Sequence, residues 1–483
     1  MAIYRAPGVF FTEYTQSIGS TAFGYNRTAI IGVGQSYTNV SNLELVRGAS
    51  EESDSDVSDL DAILLPSGTP AQAGDILSIQ GIGNIPGYYN YTLGTDYTID
   101  ADNTTITWIG TNKPQVNSTF YITYKLNKSA ARGDYEPKLM FNQTQIKEEY
   151  GPEFILKDNV INPITLGADL VLEGQTLLGG GVYCVQVDTS NITPEDTDEQ
   201  KEAKLVADYK AAIDKLDKIN VQTVICLKQD KISLRNYLIE KIETLSSNLY
   251  KKFRTTFIVP NDDHLTQDAI VDQRAGLDNE RVTYFANKKV TIELTDDITQ
   301  ETKNVELSSI YACCALSGIE GNPEYGYSEP LLRKTLPSRI TLSASQQMDP
   351  SERNYYCSNF LSAIDFNENT NLCYVFDIYT TDDTNVITET RSVRRVTDLL
   401  MTDLDRQLDI YIGQKTLNSV ASSAQVRVQS ILDNYVSAEE IKDYKNVSSS
   451  YDPNNPKQLN ISFDFIPLFE IKWVHVTIGK VLS

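Results

Sequence analysis

A multi-domain α+β or mixed α/β chain with an all-β segment inserted into it is the fold class predicted here, from three observations. Apolar runs of strand length alternate with amphipathic helical stretches between about residues 134 and 330. Residues 62–133 carry only short strand-like runs at close spacing. Both ends of the sequence have strong strand character beyond polar or glycine-containing stretches.

Composition narrows the function classes. With 483 residues, 41% hydrophobic and 22% charged, the chain has material for about three domains and more than one core. No apolar run approaches the roughly 20 residues of a membrane-spanning helix. Met1–Pro7 lacks the apolar centre of a signal peptide, so the expectation is synthesis and retention in the cytosol until release. Acids outnumber bases 65 to 42, a net charge of −23. Such a surface is a poor partner for nucleic acid or anionic membranes. Six cysteines without a CxxC pair read as reduced, buried thiols.

Taken in order, residues 1–25 read as an extended arm. Pro7-Gly8 punctuates it, and Val9-Phe10-Phe11-Thr12-Glu13-Tyr14 has strand composition with apolar residues on both faces. Thr28–Val33 is a short apolar run suited to a buried core strand. The acidic stretch Glu51–Asp61 lacks the glycine and terminal glutamate of an EF-hand and reads as a solvated linker. In the 62–133 module, Ile76–Ile79, Tyr88–Leu93, Tyr97–Ile99, Ile106–Ile109 and Phe120–Tyr124 are short strands. Thr193-Pro194 has the chemistry of a helix N-cap and first helical residue, ahead of Leu205, Val206, Tyr209, Ile213 and Leu216 at helical spacing. Val221–Leu227 reads as a strand, the Leu234, Leu238, Ile242, Leu245 series as a helix, and Phe253–Val259 as another strand, which favours a sheet covered by helices. Further helices are expected from Arg395 to Ile412 and from Ser422 to Tyr435. After a polar loop at 451–456, Leu459, Ile461, Phe463 and Phe465 alternate with polar residues, and Ile471–Ile478 forms a last strand.

A search for chemistry finds little. Only His264 and His475 are present, which nearly excludes histidine triads and multi-histidine metal sites. No P-loop appears. Gly179-Gly180-Gly181 joins a helical stretch to a strand, whereas a dinucleotide-binding loop runs from strand to helix, so a helix C-cap is the better reading. No catalytic, cofactor or metal residue is assigned. The terminal strands are the informative feature: each has backbone groups that must pair somewhere. They could pair within their own chain, or complete the sheet of a neighbouring copy.

Several stretches resemble the contractile tail sheath proteins of bacteriophages and related injection systems. These are Ala6–Glu13 with Thr28–Val33 behind it, Tyr209–Leu216 before the Val221–Leu227 strand, and Arg391-Ser392-Val393-Arg394-Arg395 before a long helix. The Leu459–Phe465 strand, Ile466-Pro467 and the last strand complete the set. The resemblance covers most of the chain in the expected order. It implies a core built from both chain ends, with the 62–133 module inserted and facing outward. The segments are then 1–25, the N-terminal arm; 26–61, the first part of the core with the acidic linker; and 62–133, the outer domain. Next come 134–330, the α/β domain; 331–458, the C-terminal core domain; and 459–483, the C-terminal strands and arm. It also implies an intersubunit N-terminal arm at Pro7, Gly8, Val9, Phe10, Phe11, Glu13 and Tyr14, and a C-terminal one at Ile471, Trp473, Val474, Val476 and Ile478. Both would thread into sheets in the C-terminal domains of neighbours. Arg394, Arg395 and Asp398 become the candidates to face an inner tube. The implied partners are further copies in a helical sheath, a tube protein, and baseplate and tail terminator proteins, in a particle assembled in the bacterial cytoplasm. The alternatives are another virion component (tube, baseplate or decoration protein), or a glycan-binding protein or enzyme using the β module.

Overall fold

The computed structural model describes residues 27–472 apart from 35–36, 47–56, 59–75, 83–87, 100–105, 110–111, 116–117, 128–135, 156–158, 176–179, 190, 194, 297–299 and 323–324. Its described helices are α1 (Gln143–Tyr150), α2 (Pro163–Gln175), α3 (Asp198–Asp214), α4 (Ile232–Ser246), α5 (Gln267–Ala275), α6 (Ile310–Glu320), α7 (Pro350–Ser358), α8 (Val386–Glu389), α9 (Arg391–Leu408) and α10 (Asn418–Ser437). Helices and several small sheets together make a mixed α+β fold.

The first apolar run becomes a central strand. Thr28–Gly32 lies between Thr223–Cys226 and Val182–Gln186, parallel to both, and Lys138–Met140 closes that edge antiparallel. All five of its residues are buried, as a near-continuous apolar strand in a parallel sheet requires. The sheet surface continues past Thr223–Cys226: Val224 N donates to Thr255 O at 3.0 Å, leading to Thr256–Ile258 parallel to Val282–Tyr284. A bridge from Phe285 to Ser362 then reaches the hairpin Ala363–Asn367/Leu372–Asp377.

Alternate residues of the central strand feed two cores. Ile30 packs in the cluster that contains Leu170 and Val171 of α2 and Cys313 to Leu316 of α6. Ala29 and Ile31 pack on the other side, with Tyr209 and Ile213 of α3 and Leu234, Leu238 and Ile242 of α4. Helices therefore cover both faces, which is why the strand reads as solidly apolar.

The start of α3 corrects the expectation from Thr193-Pro194. The cap is Thr197, whose hydroxyl accepts from Gln200 N while the Gln200 side chain accepts from Thr197 N. The Thr-x-x-Gln pattern supplies two reciprocal bonds, a stronger start signal than Thr-Pro alone. Thr193 N instead donates to Asp196 in a turn upstream. Gly181, at φ +78°, meets the edge strand so closely that a Cβ there would lie 2.6 Å from Met140 O.

A buried acid sits on α2. Asp169 is 1% exposed and neither carboxylate oxygen has a hydrogen-bond partner. Burial first, and the neighbouring Glu153 second, push its carboxyl well above the usual range. Arg339 is committed elsewhere, holding Glu153 through two bonds of 3.0 and 2.9 Å and Glu173 at 2.9 Å. Because the folded state holds the Asp169 proton more tightly than the unfolded chain, stability falls as pH rises from the ordinary carboxylate range of about 4 toward the raised value. Asp169→Asn is expected to remove that loss. Denaturation midpoints of variant and parent should agree near pH 4, and the variant should be the more stable near pH 8.

The β-rich region holds a sheet in the order Tyr37–Val46, Thr119–Asn127, Ile76–Ile82, Tyr88–Tyr91, all antiparallel. A second sheet pairs Ile106–Trp108 with Val57–Ser58 and Tyr97–Ile99. Trp108 is buried among Tyr91, Tyr97 and Phe120 with edge-on ring contacts of 5.0 to 5.9 Å. The β pairing thus begins earlier than residue 62, and Val57–Ser58 is a strand inside the acidic stretch read as linker. A register shift between Val40 and Leu43 breaks the two-residue period of Tyr37–Val46 and hides it in the sequence.

Candidate intersubunit surfaces

The C-terminal part ends in an antiparallel hairpin, Ile441–Tyr451 with Leu459–Pro467, joined by the Pro-containing loop. One face rests on α10. Val428, Ile431, Leu432 and Tyr435 pack with Ile441, and Tyr444, Val447, Ile461, Phe463 and Phe465 close over them. Gln425 Nε2 donates to Val447 O at 3.0 Å, Ser449 Oγ to Ala421 O at 3.0 Å, and Tyr451 OH to Leu417 O at 2.9 Å. The opposite face is polar: Asn446 Nδ2 donates to Asp464 at 2.6 Å and the Ser448 and Ser462 hydroxyls meet at 2.8 Å. At its root, Glu440 accepts from Tyr327 N at 3.0 Å and Ser328 N at 2.7 Å, fixing the hairpin to the loop after α6.

Among the described residues this hairpin has no third strand. A two-stranded sheet exposes one row of unpaired backbone groups along each outer edge, and hairpins of this kind are marginal alone. Here the helix beneath supports one face, and among the described residues neither outer edge pairs with another strand.

The front half of α9 carries the arginines singled out above. Arg395 is 2% exposed and Asp398 is 0% exposed, so both point into the subunit. Asp398 is gripped by Arg281 at 2.7 and 3.0 Å and by Arg394 at 2.6 Å, and Arg394 also binds Glu280 at 2.6 Å. Arg395 donates to Glu320 O at 2.8 Å. Arg391, over the Phe257 ring at 4.0 Å, binds Glu320 through two bonds of 2.6 and 2.9 Å. Burial alone would raise the Glu320 carboxyl, but Arg391 and Arg395 outweigh it and hold it below its usual range. These charges bolt α9, and the hairpin behind it, to the α/β body.

Of the arm residues, Pro7, Gly8, Val9, Phe10, Phe11, Glu13, Tyr14, Trp473, Val474, Val476 and Ile478 lie outside the described residues. Ile471 is described and is 80% exposed. Among the described residues no group of three or more His, Cys, Asp or Glu is placed to hold a metal, and no helix is long and apolar enough to cross a membrane. All six cysteines are free, five of them buried. The strand Ile441–Tyr451 and the acids Glu320 and Glu440 escaped the sequence reading. Glu320 is the last residue of an otherwise apolar helix, and only its distance from any surface signals its role.

The same layout recurs in solved structures. A chain of the contracted helical sheath of the anti-feeding prophage aligns at TM-score 0.52 and 9% identity, over 72% of this chain and 89% of that one. The fold is that of a contractile sheath protein. A chain from the sixfold-symmetrised baseplate of the same prophage aligns at TM-score 0.51 and 9% identity, over 99% of this chain and 100% of that one. The contracted sheath of an extracellular contractile injection system, PVC, aligns at 0.50 and 10% identity, over 72% and 89%. No family model matches the sequence, and no curated protein does. At this identity the sheath fold is kept by its pattern of layers and strands, with side chains almost entirely replaced.

Proposed function

We propose that this chain is the structural subunit of a contractile sheath. It polymerises helically around an inner tube and contracts to drive that tube through a cell envelope. The energy is held in the assembled lattice, so no nucleotide and no catalytic residue is needed. One observation supports the reading: a sheath fold carries a hairpin that has no third strand among the described residues, in a chain whose terminal segments Val9–Tyr14 and Ile471–Ile478 have strand composition. Open edges on a soluble subunit invite strands from another chain. Donor segment and receiving edge are different surfaces, so the contact is heterologous and propagates as a ring or helix instead of closing as a dimer.

On this reading Pro7 to Tyr14 of one copy, and Trp473, Val474, Val476 and Ile478 of another, complete the hairpin, with Ile471 at the root of the C-terminal arm. The further partners are a tube protein and baseplate and terminator proteins, in a phage tail or related particle assembled in a bacterial cytoplasm. Sheath subunits then move as rigid bodies joined by arms. Negative-stain imaging of the purified protein is expected to give wide-bore tubes. Removing residues 1–20 is expected to leave a folded monomer with unchanged circular dichroism that forms none. Normal tubes from that truncation would refute the arm model.

A further inference from the structure

Beyond the hairpin the chain does not leave the subunit at Pro467. It returns to the α/β body, and side chains alternate across it: Phe469 and Ile471 are 46% and 80% exposed, while the side chains of Glu470 and Lys472 are only 5% and 14% exposed. The Lys472 ammonium sits 2.9 Å from Asp377 and 3.6 Å from the centre of the Tyr379 ring. Tyr379 OH donates to the other Asp377 oxygen at 2.6 Å, and its ring meets Phe360 edge-on, so the seat itself is braced. Glu470 lines a water-sized cleft with Glu320, Glu329, Ile378, Arg391 and Arg395. Within that cleft Glu470 Oε2 and Arg395 Nε both lack a hydrogen-bond partner. The cation nearest Glu470 is Lys472 itself, whose ammonium lies 3.8 Å from Glu470 Oε1, so the two side chains enter the body as a pair.

We propose that Glu470 and Lys472 form an anchor that fixes, on the subunit body, the point from which the C-terminal segment crosses to a neighbour. The crossing rests on the sheath reading; the anchor does not. It has two parts. Lys472 ties the segment to the strand end at Asp377, and Glu470 sits beside Lys472 in the cleft that Arg391 and Arg395 of α9 also line. Residues Trp473 to Ser483 therefore start from a fixed origin and, fully extended, reach at most about 40 Å. On the sheath reading, the geometry at 470–472 is shared by every copy.

The test uses the full chain. Lys472→Met and Asp377→Asn, each alone, are expected to speed amide exchange of residues 468–472 about tenfold, because the segment opens locally, while exchange in α2 and α6 is unchanged. The charge-swapped pair Lys472→Asp with Asp377→Lys is expected to return that exchange toward the parent rate. Single variants exchanging at the parent rate overturn the anchor. In polymers, Lys472→Met subunits are expected to give tubes of variable helical pitch; a pitch as uniform as the parent's overturns the fixed crossing point. A parent protein that forms no tubes sinks the sheath reading instead, and the exchange rates then decide the anchor by themselves.

Discussion

Gly318→Ala is expected to destabilise the subunit by about 3 kcal/mol or more, although the same change in an ordinary helix interior would stabilise it by nearly 1 kcal/mol. Helices α2 and α6 cross where Gly174 faces Gly318. A Cβ on Gly318 would lie 2.1 Å from Val171 O, and one on Gly174 would lie 2.3 Å from Ala315 O and 2.8 Å from Ile319 N. The obstacles are backbone atoms, which no rotamer change can move aside. The helices must separate, and that opens gaps around Val171, Leu316 and Ile319 in the largest core cluster. Once they have parted, the second substitution meets less resistance, so the Gly174→Ala/Gly318→Ala pair should cost less than the sum of the singles. Chemical denaturation decides it: a Gly318→Ala midpoint equal to or above the parent's removes the crossing from the account.

Arg391→Met is expected to cost about 3–5 kcal/mol, since it removes both side-chain bonds from a buried carboxylate. Both side chains of the Arg391–Glu320 pair are 3% exposed. Arg391 also donates to the Thr283 and Thr255 hydroxyls at 3.1 Å, so its loss unsatisfies two strands as well as α6. The effect has a pH signature. Glu320 is held below its usual range in the folded state, so its pairing adds stability above about pH 4.3 and loses it as pH falls through the depressed value. The gap between Arg391→Met and parent should therefore be widest at neutral pH and shrink near pH 3. Adding Glu320→Leu to Arg391→Met should recover part of the loss, because the stranded charge is gone. Equal gaps at both pH values would assign the cost to lost packing on Phe257.

What the sequence made legible follows from where periodicity survives. Thr28–Gly32, α4 and Leu459–Pro467 are regular over their whole length, and each was readable. Tyr37–Val46 and Ile441–Tyr451 were not, because register shifts at Val40/Leu43, Ile441/Asp443 and Lys445/Ser448 push apolar residues out of step with a period of two. The surroundings of the α9 charges were hidden for a different reason. Arg394, Arg395 and Asp398 lie close together in sequence, yet the partners that hold them come from elsewhere: Glu320 is 75 residues from Arg395, and Arg281 is 117 from Asp398. Long-range pairing of that kind leaves no trace in local spacing. The hairpin at 441–467 was half legible: its second strand was evident, while its first was not.

The central strand has a consequence for biosynthesis. Thr28–Gly32 emerges early, but its parallel neighbours begin at Val182 and Thr223. At about 5–20 residues per second, a ribosome needs roughly 8–30 s to deliver the first of them. During that wait the β-rich segments between them can fold and the apolar run has no sheet to join. A nascent chain at that stage is the natural client of a holding chaperone, and arresting translation near residue 180 should capture it bound to one.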